Sequence, residues 1–148
     1  MEEILGLATK VSYSGAFSRK DLVTVLRDSI EGFGYSITEK DVSEDKSKLK
    51  FTWSCSKNYD DYTKASIDIK FEAKKKGEEG EVSIEFKSKL YTDYKNKWEK
   101  GPFYKILKEI YDSTFYKPTL DRFKKKLAEE VTSVVDDVKS FLNMYRLK

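Results

Sequence analysis

The chain has 148 residues, enough for one hydrophobic core that folds without staples. It carries no histidine and one cysteine, which excludes an intramolecular disulfide, the Ser-His-Asp and Cys-His catalytic arrangements, and zinc sites built from Cys and His clusters. The net charge of +3 divides into −4 over residues 1–45, +5 over 46–105 and +2 over 106–148, with acids mixed through the basic middle, a pattern of solvated surface more than of a phosphate-tracking stripe.

Residues 4–17 alternate, with Leu5, Leu7, Thr9, Val11, Tyr13 and Phe17 on one parity, so they predict a half-buried strand. Ser18 stands three residues before Asp21 as a helix cap, and Leu22, Leu26, Ile30 and Phe33 follow at helical spacing until Gly32 and Gly34 stop the helix. Tyr35 to Val42 reads as a weaker strand and Asp45 to Ser47 as a turn. Lys48 to Ser56 is a strong strand that turns Leu49, Phe51, Trp53 and Cys55 one way. Ala65 to Ala73 and Val82 to Leu90 alternate in the same manner, joined by a hairpin-length loop at Gly77–Gly80. Consecutive one-sided strands form an antiparallel sheet with one wet face.

Gly101-Pro102 ends the sheet region, and Phe103, Ile106, Leu107, Ile110 and Tyr111 make one face of a short helix. Lys117-Pro118 breaks it, and Thr119 caps a final helix. That helix places Leu120, Phe123, Leu127, Val131, Val134, Val138, Phe141 and Tyr145 at spacings of three and four, over about 30 residues and about 45 Å. The order is β-α-β-β-β-β-α-α in a single α+β domain over 1–148: an antiparallel sheet of about five strands packed against a long C-terminal helix. This is a helix-grip-like plan, as in START-type lipid binders, and the likeness is one of architecture.

The N-terminus is acidic and lacks the apolar stretch of a signal peptide, and no apolar run reaches the ~20 residues of a membrane span. A cytoplasmic location is expected, without membrane association. No glycine-rich phosphate loop occurs. The doublets Asp60-Asp61, Glu78-Glu79, Glu129-Glu130 and Asp136-Asp137 read as solvated charge, since neighbours on a helix or strand point apart. Cys55 falls on an apolar face and reads as a buried structural thiol. No catalytic residue, metal site or cofactor is expected.

The leading expectation is a non-enzymatic binding or interaction domain. A small apolar ligand between sheet and helix would be lined by Phe51, Trp53, Ile69 and Phe86. A protein partner or a second copy would meet the C-terminal helix or a sheet edge; from Leu127 onward that helix follows a 4-3-4-3-4 rhythm like a coiled-coil seam. The alternative is a nucleic-acid-associated protein. It would use Tyr59, Tyr62, Tyr91, Tyr94 and Trp98 as stacking platforms beside Lys64, Lys89, Lys95 and Lys97, with Lys74-Lys75-Lys76 and Lys124-Lys125-Lys126 as the basic runs. An enzyme built on carboxylates and lysine ranks last.

The segments Gly6-Leu7-Ala8-Thr9-Lys10-Val11, Asn96-Lys97-Trp98-Glu99-Lys100-Gly101-Pro102-Phe103 and Phe141-Leu142-Asn143-Met144-Tyr145-Arg146 together resemble a group of small archaeal proteins with no assigned activity. The resemblance covers both ends and the sheet-to-helix junction. It implies a cytoplasmic archaeal setting and carries no site residue.

Overall fold

The computed structural model describes residues 2–76, 79–92 and 117–146. They form β1 (Glu2–Gly15), α1 (Arg19–Gly32), β2 (Ser36–Glu44), β3 (Lys48–Asn58), β4 (Thr63–Lys76), β5 (Glu79–Thr92) and α2 (Lys117–Arg146). The predicted helix over 103–111 lies outside these residues, as does the Trp98–Phe103 junction.

The fold class is α+β, as the periodicity predicts. The sheet is antiparallel with strand order β1-β5-β4-β3-β2. Strands β2 to β5 follow one another as a meander, while β1 pairs outside β5, so α1 carries the chain from one sheet edge to the other. Period-two alternation sets the two faces. Phe51, Trp53, Cys55, Ile67, Ile69, Phe71, Ile84 and Phe86 point inward and are buried. On the outer face, Asp68 stands opposite Lys87, Lys70 opposite Glu85 and Lys50 opposite Glu72, so charges of opposite sign neighbour across the strands.

Both helices contribute to the one buried core. Leu22, Leu26 and Ile30 of α1 are fully buried, and Ser18 caps that helix by accepting from the Asp21 N–H. Arg27 of α1 lies 4.9 Å from the centre of the Trp53 ring and pairs with Glu39 of β2, which seats α1 over the β2–β3 side. Helix α2 lies over the β1–β5 side and against α1, where Ser29 donates to Asp137. Its Leu127, Val131, Val134 and Val138 are buried within the chain and Phe141 packs partly buried against the same core, so this part of the 4-3-4-3-4 stripe is an intramolecular face. Thr119, expected as its cap, lies within the helix, which is described from Lys117 onward. No helix of the described residues is long and apolar enough to cross a membrane.

Two bulges correct the simple alternation. In β1, Leu5 pairs with Lys89 but Ala8 pairs with Lys87, so Gly6 and Leu7 stand opposite Ser88 alone. The inward parity changes there, and Leu7 is exposed, not buried with Val11 and Tyr13. Ser88 repairs the ladder: its hydroxyl accepts from the Leu7 N–H at 2.8 Å and donates to the Leu7 carbonyl at 3.0 Å. Gly6 is required beside it, because a Cβ there would come within 2.6 Å of the Ser88 Oγ. Ser88→Ala should therefore leave two backbone groups without partners and cost about 1–3 kcal/mol; a chemical-denaturation curve with an unchanged midpoint contradicts this repair role.

The second bulge lies in β2 between Lys40 and Ser43, with Asp41 in the left-handed region at φ 52°. This strand is polar and exposed almost throughout, and Val42 is half-exposed. A charged, bulged strand is a suitable sheet edge, because it offers neighbouring chains a broken row of hydrogen-bonding groups.

Candidate functional site

Helix α1 ends in a left-handed cap. The Gly34 N–H donates to Glu31 O and the Tyr35 N–H to Ile30 O, with Gly34 at φ 89°. The cap turns the chain sharply into β2 and leaves the Phe33 carbonyl free. Lys57, near the end of β3, fills that position: its ammonium donates to Phe33 O at 2.5 Å. A cation at a helix C-terminus also meets the negative end of the helix dipole.

The same ammonium reaches inward to Glu130 of α2, with Nζ 3.4 Å from Oε2. Glu130 is 5% exposed. Its Oε1 accepts from the Tyr59 hydroxyl in a short hydrogen bond and from the Tyr35 hydroxyl at 3.4 Å, and the two hydroxyls lie 3.2 Å apart. Lys57 also lies 5.6 and 5.7 Å from the centres of the Tyr35 and Tyr59 rings. The outer side of Tyr59 packs on Phe123, with ring centres 4.9 Å apart, and on the Lys126 ammonium at 4.8 Å. Three polar side chains, from α1's exit and the end of β3, thus converge on one buried carboxylate of α2.

Both phenols are held well above their ordinary pKa. Burial is the main cause in each. For Tyr35 the hydrogen bond with Tyr59 offsets part of that rise and the Glu130 carboxylate adds to it; for Tyr59 the hydrogen bonds to Glu130 and Tyr35 add to it. They therefore act as proton donors at neutral pH and are unfitted to be bases. Burial likewise pushes the Cys55 thiol up to about 12, with Asp68 adding and Arg27 opposing. The thiol is free and fully buried, as its place on the apolar face predicts.

The four residues expected to line a ligand lie together in the core. Phe51 stacks on Phe71 with ring centres 4.6 Å apart and packs on Trp53 at 4.8 Å; Ile69 pairs with both Trp53 and Phe86 across the strands. Trp53 is 1% exposed, yet its indole Nε1 has no hydrogen-bond partner among the described residues.

Of the residues proposed for stacking and charge, Tyr59, Tyr62, Tyr91, Lys64 and Lys89 lie among the described residues. Tyr59 points at Glu130, and Tyr62 is buried beside a turn in which Asp60 accepts from the Tyr62 and Thr63 N–H groups. Lys64 lies beside Tyr91, and Lys89 beside Ser66, on the neighbouring strands. Tyr94, Lys95, Lys97 and Trp98 fall outside the described residues.

Glu130 corrects the expectation that its doublet is solvated. Its signal was present in the sequence: it lies three residues after Leu127 and four before Val134, on the buried stripe of α2. Among the described residues, no group of three or more Asp, Glu or Cys side chains is placed to hold a metal ion. Compared with known proteins, the chain matches no protein-family model and no curated protein.

Proposed function

We propose that this chain is a non-enzymatic, cytoplasmic binding domain that holds a small, largely apolar ligand between its sheet and its helices, in the manner of helix-grip domains. The observation that carries this reading is the buried Trp53 indole N–H, which has no hydrogen-bond partner among the described residues. Buried donors in folded proteins are nearly always paired, and leaving one unmade costs about 1–3 kcal/mol. A ligand acceptor at Trp53 Nε1 would satisfy that group, and Phe51, Ile69 and Phe86, which are 0–3% exposed, would have to part to give the ligand apolar contact. A binding role without catalysis is further supported by the protonation states, since the two buried phenols and the thiol keep their protons at neutral pH. A free thiol suits a reducing compartment.

Nucleic-acid binding has less support, because Tyr59 and Tyr62 are engaged in the fold and the outer sheet face alternates in charge.

Native mass spectrometry of the purified protein tests the proposal. The wild-type chain of 17.3 kDa should retain the mass of a small molecule. Trp53→Phe, which keeps a ring and removes only the donor, should lose most of it. A bare wild-type chain, or a ligand kept equally by the variant, overturns the reading.

A further inference from the structure

A second concave site lies at the opposite end of the sheet from Glu130, where the β1–α1 connection, the β2–β3 turn and the β4–β5 hairpin meet. It is a cavity of about 320 Å³, and among the described residues its walls carry Arg19, Lys20, Lys46, Lys74 and Lys75 against a single carboxylate, Glu79. Arg19 is shared with Glu44 at 3.9 Å and Lys74 with Glu72 at 3.5 Å. The ammonium groups of Lys20, Lys46 and Lys75 make no ion pair with a described carboxylate. Like charges held together in this way repel one another, and an anion removes that cost.

The walls are built to stay in place. Asp45 accepts from Ser47 N, Ser47 Oγ and Lys48 N, so its carboxylate is spent on its own turn and those hydrogen bonds hold it below its usual pKa. The Lys75 N–H then ties that turn to β4 through Ser47 O at 2.7 Å. The backbone that carries Lys46 is thereby held to the backbone of Lys75, and both side chains are exposed.

Phe17 supplies an apolar wall. It can lie there because position 80 is glycine: a Cβ would come within 3.0 Å of the Phe17 ring and of Lys74 O. Arg19 and Lys20 also occupy the first turn of α1, where cations are disfavoured by the helix dipole. Sequences break such a local rule most often at functional sites.

From this geometry we infer that the pocket of Phe17, Arg19, Lys20, Lys46, Lys74 and Lys75 is a binding site for a small phosphorylated anion of the di- or triphosphate class. Its size admits such a group, and its charge excess over one carboxylate matches it. The site is independent of the interior ligand proposed above.

Calorimetric titration with inorganic pyrophosphate at about 20 mM salt, where screening is weak, tests the inference. Wild-type protein should bind one equivalent. Lys46→Glu/Lys75→Glu should weaken binding by about tenfold or more, since hydrogen bonds to charged groups are worth that much. Lys64→Glu/Lys125→Glu, the same charge change at the other end of the molecule, should leave it nearly unchanged. Absence of binding by the wild type, or equal weakening by both variants, overturns the site. A single-stranded oligonucleotide bound more tightly than pyrophosphate, with a salt dependence of several phosphates, overturns the small-anion class in favour of a strand.

Discussion

Replacing Glu130 with alanine should destabilise the protein by about 3–5 kcal/mol, the cost of breaking a buried ion pair by removing one partner. Three donors lose their acceptor at once: the Tyr59 and Tyr35 hydroxyls and the Lys57 ammonium, whose side chain is only 25% exposed. In a domain of this size the melting temperature should fall by about 10 °C or more. Glu130→Gln separates the contributions. Its amide oxygen still accepts from the phenols, but its NH₂ group meets the Lys57 ammonium as donor against donor, so an intermediate loss is expected. Lys57 contributes a second effect through the Phe33 carbonyl, so Lys57→Met should cost less than Glu130→Ala while still loosening the end of α1. If thermal denaturation finds Glu130→Ala as stable as wild type, the carboxylate is not the centre of this cluster.

Alkaline pH should be the second large lever on stability. Tyr35, Tyr59 and Cys55 all have folded pKa values raised above their ordinary ones of 10.0, 10.0 and 9.0. Below those ordinary values the folded and unfolded chains are equally protonated at these groups, and the stability is intact. Above them the unfolded chain releases protons that the folded chain retains, so unfolding becomes easier as pH rises. The decline begins near pH 9 with Cys55, whose share ends near its folded value of about 12, and it steepens above pH 10 as the phenols join. Each group contributes a slope of about 1.4 kcal/mol per pH unit within its window. Melting temperatures measured from pH 8 to 11 should fall steeply, and Tyr35→Phe and Tyr59→Phe should each flatten the part above pH 10. A curve that both variants leave unchanged shows that the phenols ionise as readily in the folded protein as in the unfolded one.

The sheet, α1 and the long terminal helix were legible because each repeats its pattern over enough residues to show a period. Trp53, Ile69 and Phe86 alternate cleanly with polar neighbours, and Leu22, Leu26 and Ile30 recur at helical spacing. The bulge at Gly6–Leu7 was hidden, because its repair depends on a serine 81 positions away. The Glu130 cluster was hidden for a related reason. An acidic doublet on a helix is ordinarily solvated, and only the stripe position of one member distinguishes it. Its partners come from two other segments, the exit of α1 and the end of β3, and no local spacing links Tyr35, Lys57 and Tyr59 to α2. The basic pocket is likewise a product of topology. The run Lys74-Lys75 is visible as a charge cluster, but its meeting with Arg19, Lys20 and Lys46 requires the register of β4 with β5 and the turn fixed by Asp45.

The pairing of the first strand with the last also orders events during synthesis. Glu2 is matched to Thr92, so β1 leaves the ribosome long before its neighbour in the sheet exists. At about 5–20 residues per second the wait is several seconds. The meander of β2 to β5 needs only short loops and can assemble first, whereas closing β1 onto β5 requires a loop of most of the nascent chain. Until then β5 is an unguarded edge, and β1 is the segment that seals it.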